Sequence, residues 1–286
     1  MTAKNWLKAT SARTVGRWIV RNPFDRVVVL CYHSIHSTKP FASATPTLFD
    51  SQLRWLKKYC DFVPFSKVNE ASNVIKRNRP AVALTFDDGY ADNYEQAFPL
   101  LVKYGIPATF FLTVGLLEKR SAIIERFQML QHSCYEDIRP LEWSQVREMR
   151  EAGMEVGAHT FSHPNLARLT REVVELELSR SKEIMEQRLG EPVTLMAYPF
   201  GKPERHFRDE TTQIVAAARY EYAAMVLSRS VSPGDSRFRI PRFVTANDDL
   251  AKLSAKIFGA WDLLGLWEAK LPLPIARLVS PLDFNV

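Results

Sequence analysis

Apolar residues along the chain gather into short, nearly unbroken runs rich in Val, Phe and Thr, separated by stretches where they recur every three or four positions. The short runs are Val27 to Tyr32, Ala81 to Phe86, Ala108 to Val114, Met154 to Ala158, Leu195 to Tyr198, Tyr222 to Leu227 and Arg239 to Val244. Runs without polar alternation predict strands buried on both faces. Between them the spacing predicts helices over Asp92 to Tyr104, Ser144 to Ala152 and Thr170 to Leu189, which stop at Gly105, Gly153 and Gly190. A glycine just past the last periodic residue is an ordinary helix stop, because it accepts the left-handed backbone. In the third helix Val174, Leu178, Met185 and Leu189 fall on one side. Strand and helix alternating through about seven units predict an α/β fold, with parallel strands closed into a (β/α) barrel and helices outside.

This pattern covers residues 26–248 as one domain. A basic arm, 1–25, precedes it and a Trp/Leu-rich helical segment, 249–286, follows. Residues 115–140 break the rhythm and are expected to form an insertion over one end of the barrel. With 286 residues, 46% hydrophobic and 24% charged, the chain can bury a full core, which excludes disorder and a multi-span membrane protein. The three cysteines, Cys31, Cys60 and Cys134, lack metal-type spacing and are odd in number, so reduced thiols are expected.

Charge is unevenly placed. Residues 1–22 hold Lys4, Lys8, Arg13, Arg17 and Arg21 and no acid; the other 264 residues carry 33 bases and 32 acids, a net +1. A near-neutral body argues against a nucleic-acid reader, while the arm suits peripheral contact with anionic lipid headgroups. Trp18-Ile19-Val20 is the longest apolar run before Arg21, too short for a secretory core, and no stretch reaches the length of a spanning helix. The expected place of work is therefore the cytoplasm, at most peripheral on the inner face of the membrane.

Chemistry concentrates at the predicted strand ends, the ligand-binding face of parallel α/β folds. Leu84 to Tyr90 puts Asp87 and Asp88 just past one strand, and His159-Thr160-Phe161-Ser162-His163 puts two imidazoles past another. Asp88, His159 and His163 form an open three-ligand set for a divalent cation, with zinc the first choice, and Asp87 is left as general base. The turn Tyr198-Pro199-Phe200-Gly201 offers backbone N–H groups to an oxyanion, and Cys31-Tyr32-His33-Ser34-Ile35-His36 offers two candidate general acids. Tyr90, Phe161, Tyr198, Pro199 and Phe200 are candidates for stacking on or shaping a sugar site.

Thr85-Phe86-Asp87-Asp88-Gly89 and His159 to His163 together resemble the T-F-D-D-G and H-[ST]-x-x-H motifs of the polysaccharide deacetylases, carbohydrate esterase family 4, which share the NodB-homology domain. The resemblance covers roughly Arg26 to Val244. It implies a distorted (β/α) barrel and a metal-dependent amidase acting on N-acylated sugars, with Asp87 as base, Asp88, His159 and His163 as metal ligands and the Phe200 N–H at the oxyanion. The chain departs from the family in two places. Ala197 and Phe200 stand where the R-x-P-Y motif has arginine and tyrosine, so Arg242 becomes the candidate partner of Asp87. No L-x-H motif follows His163 either. Tyr32-His33-Ser34-Ile35 resembles the early Y-H-x-[IV] element of the subgroup related to biofilm poly-N-acetylglucosamine deacetylases, which makes His33 the candidate acid and His36 the next choice.

The expected partner is an N-acylated sugar, polysaccharide or lipid-linked glycan precursor. Two other readings stay open: a barrel that binds carbohydrate or glycolipid without turnover, and an amidase on a non-sugar substrate.

Overall fold

The structure, a computed structural model, describes residues 23–39, 41–74, 77–131 and 138–262. Most of the basic arm, through residue 22, and most of the Trp/Leu-rich C-terminal segment lie outside the described residues. Ten strands follow in chain order: β1 (Val27–Tyr32), β2 (Ser34–Ile35), β3 (Ala42–Ala44), β4 (Asp61–Phe62), β5 (Ala81–Phe86), β6 (Ala108–Leu112), β7 (Glu155–Ala158), β8 (Leu195–Ala197), β9 (Tyr222–Val226) and β10 (Ile240–Val244). Seven of them, β1 and β5 to β10, close a parallel barrel in which β1 pairs with β5 on one side and β10 on the other. These are the seven apolar runs of the sequence, shorter by one or two residues at some ends.

The barrel is uneven. β1 and β5 pair over six residues, Val27↔Ala81 to Tyr32↔Phe86, whereas β7 meets β8 at the single position Ala158↔Met196. β4 occupies the start of β5 (Asp61↔Ala81, Phe62↔Val82) and β6 its end (Leu84↔Ala108 to Phe86↔Phe110), so two strands share one edge. β2 and β3 form a separate parallel pair in the loop after β1.

Alternation along each strand divides the core in two. Val27, Val29, Ala81, Ala83, Phe111, Leu195, Ala197, Ala224 and Ile240 pack together in the barrel's interior, and their small side chains fit its narrow bore. The intervening residues, among them Val28, Leu30, Val82, Leu84, Phe110 and Leu112, pack outward against the helices. Following the inward series in steps of two leads from Val29 through Cys31 to His33, from Ala83 through Thr85 to Asp87, from Gly157 to His159 and from Ile240 to Arg242. The barrel's pleat therefore aims four of the sequence-identified residues at one end of the bore.

Of the helices, Arg171–Leu189 begins after Thr170 and ends on Gly190 at φ 72°, as its spacing predicts. The segment predicted as one helix from Asp92 starts with a widened π turn, Asn93–Ala97, before the α-helix Phe98–Tyr104 ends on Gly105. The sequence reading passes over the helix Pro46–Tyr59, which the Thr45 hydroxyl caps by accepting from Leu48 N–H and which buries Phe49, Leu53 and Leu56. It also passes over Asp209–Ala217. The described part of residues 115–140 is mostly helical: Val114–Leu117 begins just before that stretch, and Ser121–Gln131 lies within it and reaches the cavity described below. The helix Leu250–Phe258 buries Leu253 and Ile257 in the main core. Among the described residues no helix is long and apolar enough to cross a membrane.

Candidate active site

Asp87 continues the inward series of β5, and its N–H donates to Tyr32 O at 2.9 Å, extending the β1–β5 ladder by one step. Its carboxylate is buried and held from below. Arg242 on β10 donates through both terminal nitrogens, Nη1 to Oδ1 and Nη2 to Oδ2, each at 2.7 Å. Arg242 Nη1 also donates to the Thr85 hydroxyl at 3.0 Å, and the Cys31 thiol lies 3.3 Å from Asp87 Oδ2. Burial by itself raises a carboxyl's pKa. Here the Arg242 charge, with help from His159, overrides it and holds Asp87 well below the usual carboxylate range. The base is thus ionised and oriented before substrate arrives.

Asp88 breaks the alternation. Its φ of 75° lies in the left-handed region, so its side chain departs from the strand's inward row while remaining wholly buried. Gly89 follows at φ 86°, where a Cβ would press on Leu117 and Leu112 at about 3 Å, so the turn after the two carboxylates demands glycine. Asp88 Oδ1 lies 3.7 Å from His159 Nε2 and 3.5 Å from His163 Nε2. His159 Nδ1 sits 2.8 Å from the Ala197 carbonyl, an atom that can only accept, so the proton resides on Nδ1 and Nε2 keeps its lone pair. Thr160 (φ 64°) and His163 (φ 55°) bend the loop so that both imidazoles turn inward, and the Thr160 hydroxyl accepts from His163 N–H.

The residues fit a metal ion. One donor atom from each of Asp88, His159 and His163 lies within 4.8 Å of the others, and all three residues are buried. Asp88 Oδ1 and His163 Nδ1 have no hydrogen-bond partner. Burial raises the Asp88 carboxyl, the mark of an anion with no cation to repay its desolvation. Burial, with the neighbouring His159, pushes the His163 imidazole well below its ordinary value, which keeps the ring neutral as a ligand must be.

These groups form the floor of a cavity of about 710 Å³. His33 lines it, with a ring nitrogen within 4.8 Å of an Asp87 carboxylate oxygen. Its backbone is clamped: its N–H donates to Ser43 Oγ at 2.9 Å and its carbonyl accepts from Asn93 Nδ2 at 2.6 Å. His36 is absent from the wall and its ring accepts from Thr38 instead. Phe200 lines the cavity at φ 59°, and its N–H has no backbone acceptor among the described residues. Gly201 beside it could not carry a side chain, since a Cβ would stand 2.8 Å from Val226 N.

Three candidates for sugar contact are placed elsewhere. Tyr90 is fully buried, with its hydroxyl bonded to the Asp88 carboxylate and to Gln131 Nε2, so it braces a ligand from behind. Phe161 packs under the Arg180 guanidinium, 3.8 Å from its ring centre, and Pro199 is also absent from the wall. Both fail for the same reason: in their tight loops the neighbouring histidine or Phe200 takes the inward direction. Tyr198 does reach the cavity, although its ring stacks on Phe207 and its hydroxyl donates to Phe238 O. The sequence reading missed Arg126, Arg168, Arg205, His206, Asn247, Lys256 and Trp261, all of which reach the wall. Asn247 could have been found, because it lies three residues past β10 at the same strand-end face; the others come from loops and helices without local signature.

A sequence model of the polysaccharide deacetylase family matches residues 75–223. The chain belongs to that family. Membership makes this polysaccharide deacetylase homologue a hydrolase of carbon–nitrogen bonds; deacetylases of the family are metal-dependent, and Asp88, His159 and His163 form a possible metal site. The chain is similar to a putative polysaccharide deacetylase of Bacillus subtilis, YxkH, at 25% identity over 250 residues, covering 85% of this chain and 78% of that one. It is also similar to the poly-beta-1,6-N-acetyl-D-glucosamine N-deacetylase of Staphylococcus aureus, at 23% identity over 77% of this chain and 72% of the relative. Among solved structures, the Streptococcus pyogenes deacetylase PplD superposes with a TM-score of 0.68 at 27% identity, covering 81% of this chain and 98% of PplD.

Proposed function

We propose that the protein removes the N-acetyl group from an amino sugar in a polysaccharide or in a lipid-linked glycan precursor, releasing acetate and a free amine, with zinc held by Asp88, His159 and His163. The observation that carries this reading is the meeting, in one cavity, of a complete metal-ligand set with an arginine-held carboxylate beside it and an imidazole opposite. A protein that only binds sugar gains nothing from burying two adjacent carboxylates in different electrostatic states. The names of the staphylococcal relative and of PplD support deacetylation as the reaction.

The ion, when bound, supplies Lewis acidity toward the acyl carbonyl and toward water. The chain's own residues do the rest. Asp87 Oδ2, the oxygen 3.9 Å from His159 Nε2, takes the proton of the attacking water. Its low pKa makes it a weak base, an acceptable trade where the water is acidified. The Phe200 N–H donates to the oxygen that gains charge. A ring nitrogen of His33 gives a proton to the sugar nitrogen as the carbon–nitrogen bond breaks, so that the amine leaves neutral.

The test is to purify the protein, measure its metal content, and assay acetate and amine release on N-acetylglucosamine oligomers and on a lipid-linked N-acetylamino sugar. Equal amounts of acetate and amine, with about one ion per chain, are expected. A metal-replete protein that releases neither from any acetylated sugar would be a binder.

A further inference from the structure

The cavity carries a charge imbalance that amide hydrolysis does not require. Among the described residues its carboxylates are Asp87 and Asp88 alone, whereas Arg126, Arg168, Lys202, Arg205, Lys252 and Lys256 all reach its wall. Beyond residues 1–22 the chain has 33 bases against 32 acids, so a wall with this many cationic side chains departs from its composition. A neutral acetamido sugar gains little from such a wall, and the amine product, once protonated, is repelled by it.

The cations fall into two groups. Lys252 and Lys256, on the helix Leu250–Phe258, are both paired with the buried Asp248, and Lys256 also donates to Val244 O. Their charge is answered within the protein. On the other side Arg126, carried by Ser121–Gln131, is half-buried and makes no ion pair or hydrogen bond among the described residues. Its neighbour Phe127 packs 5.3 Å from the His163 ring. Arg168 is likewise without one, at the end of the short helical turn Leu166–Arg168. Arg205 adjoins His206, whose ring lies 5.2 Å from Phe200. The loops of Arg168 and Arg205 are tied together, by Asn165 Nδ2 donating to Arg205 O and Ala167 N donating to His206 O. Three sequence segments thus bring arginines to the wall of the cavity that His163 and Phe200 also line.

The residue type is informative too. Arginine's planar fork matches the oxygens of phosphate and carboxylate in pairs. The Arg126 guanidinium is held partly out of water, and burial lowers its pKa although the Glu177 carboxylate pulls the other way without pairing with it directly. An anion supplied by the substrate would repay it.

We infer that the substrate carries an anionic group, a phosphate or a carboxylate, within about one sugar of the reacting acetamide, and that Arg126 and Arg168 receive it. The position of the acetamide rests on the deacetylase reading above; the anion site rests on the wall. Phosphate would come from a sugar-phosphate linkage, carboxylate from a uronic acid.

Three disaccharides separate the outcomes: neutral diacetylchitobiose, its 1-phosphate, and N-acetylglucosamine linked to glucuronic acid. Binding is measured by calorimetry on zinc-loaded Asp87→Asn protein at low and high salt, and acetate release on wild type. At least one anionic probe is expected to bind about tenfold more tightly than the neutral one, equivalent to about 1.4 kcal/mol. That advantage should shrink with salt and vanish in the Arg126→Gln/Arg168→Gln double variant. The anionic probe that wins identifies the source. Equal or weaker binding of both anionic probes, or an advantage that survives in the double variant, overturns the inference. Acetate release from the neutral probe without anionic preference would do so while leaving the deacetylase intact. Anionic preference with no acetate released from any probe would overturn the deacetylase and leave the anion site standing.

Discussion

Asp87 and Asp88 adjoin in sequence and are both buried, yet their surroundings are opposite. The Asp87 carboxylate accepts two bonds from Arg242 and a weak one from Cys31, so both its oxygens are satisfied by the protein. The Asp88 side faces two imidazoles, with Asp88 Oδ1 and His163 Nδ1 left unpartnered. Strand geometry makes the difference. Asp87 stays in the inward row and meets the arginine two strands away, whereas the positive φ at Asp88 swings its carboxylate toward the β7 loop. One half of the site is finished by folding, and the other presents the donor set that a bound ion would complete. Unsatisfied buried groups are costly, so the second half should be where binding and stability are coupled.

Removing the ion is the strongest way to break that asymmetry. Dialysis against a chelator is expected to abolish deacetylation, zinc to restore it, and the melting temperature to fall in the apo protein. An ion present at a hundred times its dissociation constant stabilises by about 2.7 kcal/mol. Identical melting curves with and without the ion would contradict the comparison.

Asp87→Asn keeps the shape of the finished half and removes its basicity. Turnover should drop by about 10² to 10⁴, the usual contribution of a general base, while zinc content stays as in wild type. Loss of zinc in this variant would mean that Asp87 is a ligand and the division of labour is wrong.

Arg242→Gln attacks the support of the base. Breaking a buried pair from one side costs about 3 to 5 kcal/mol, because a carboxylate is left without its counter-charge. Denaturant melts measure it. The pH dependence has a definite sign. Asp87 in the folded protein titrates below its unfolded value of about 3.9, so the pair's stabilisation is complete above that pH and is lost as acid carries the carboxyl through its lower folded value. Without Arg242 burial is opposed only by the His159 and His33 imidazoles and the carboxyl rises, so the acid limb of activity should move to higher pH. An unmoved acid limb would show that Arg242 does not tune the base.

Much of this arrangement was legible in sequence, for reasons that also mark where legibility stops. Strands buried on both faces leave unbroken apolar runs, so all seven barrel strands could be read. Asp87, Asp88, His159 and His163 sit within a few residues of strand ends, and their spacing is local. The link from Asp87 to Arg242 crosses 155 positions, and only the family's missing arginine pointed to it. The helix Pro46–Tyr59 carried its signal in Thr45-Pro46 and was overlooked, whereas Arg126, Arg168 and Arg205 carried none. Each is an unremarkable surface arginine until the barrel brings one helix and two loops together. Tyr90 and Phe161 were misplaced because a loop's side-chain directions follow from its φ values, which apolar patterning does not encode.

The smallest expected effect tests how finished the Asp87 half is. Sequence counting treated Cys31 only as a reduced thiol, but the inward row of β1 sets its sulfur 3.3 Å from Asp87 Oδ2. Burial pushes this thiol well above its ordinary pKa, so it remains an S–H and can donate to the base throughout the working range. A thiol is a weak donor, and Arg242 already fixes the carboxylate through two stronger bonds. Cys31→Ala should therefore lower kcat by less than about tenfold, under about 1.4 kcal/mol, and leave KM unchanged. Cys31→Ser, with a shorter and stronger donor, should recover part of the loss. Because the thiol is neutral and enclosed, iodoacetamide should leave the native enzyme active, and rapid inactivation that Cys31→Ser prevents would show that the base side opens far more readily than its hydrogen bonding implies.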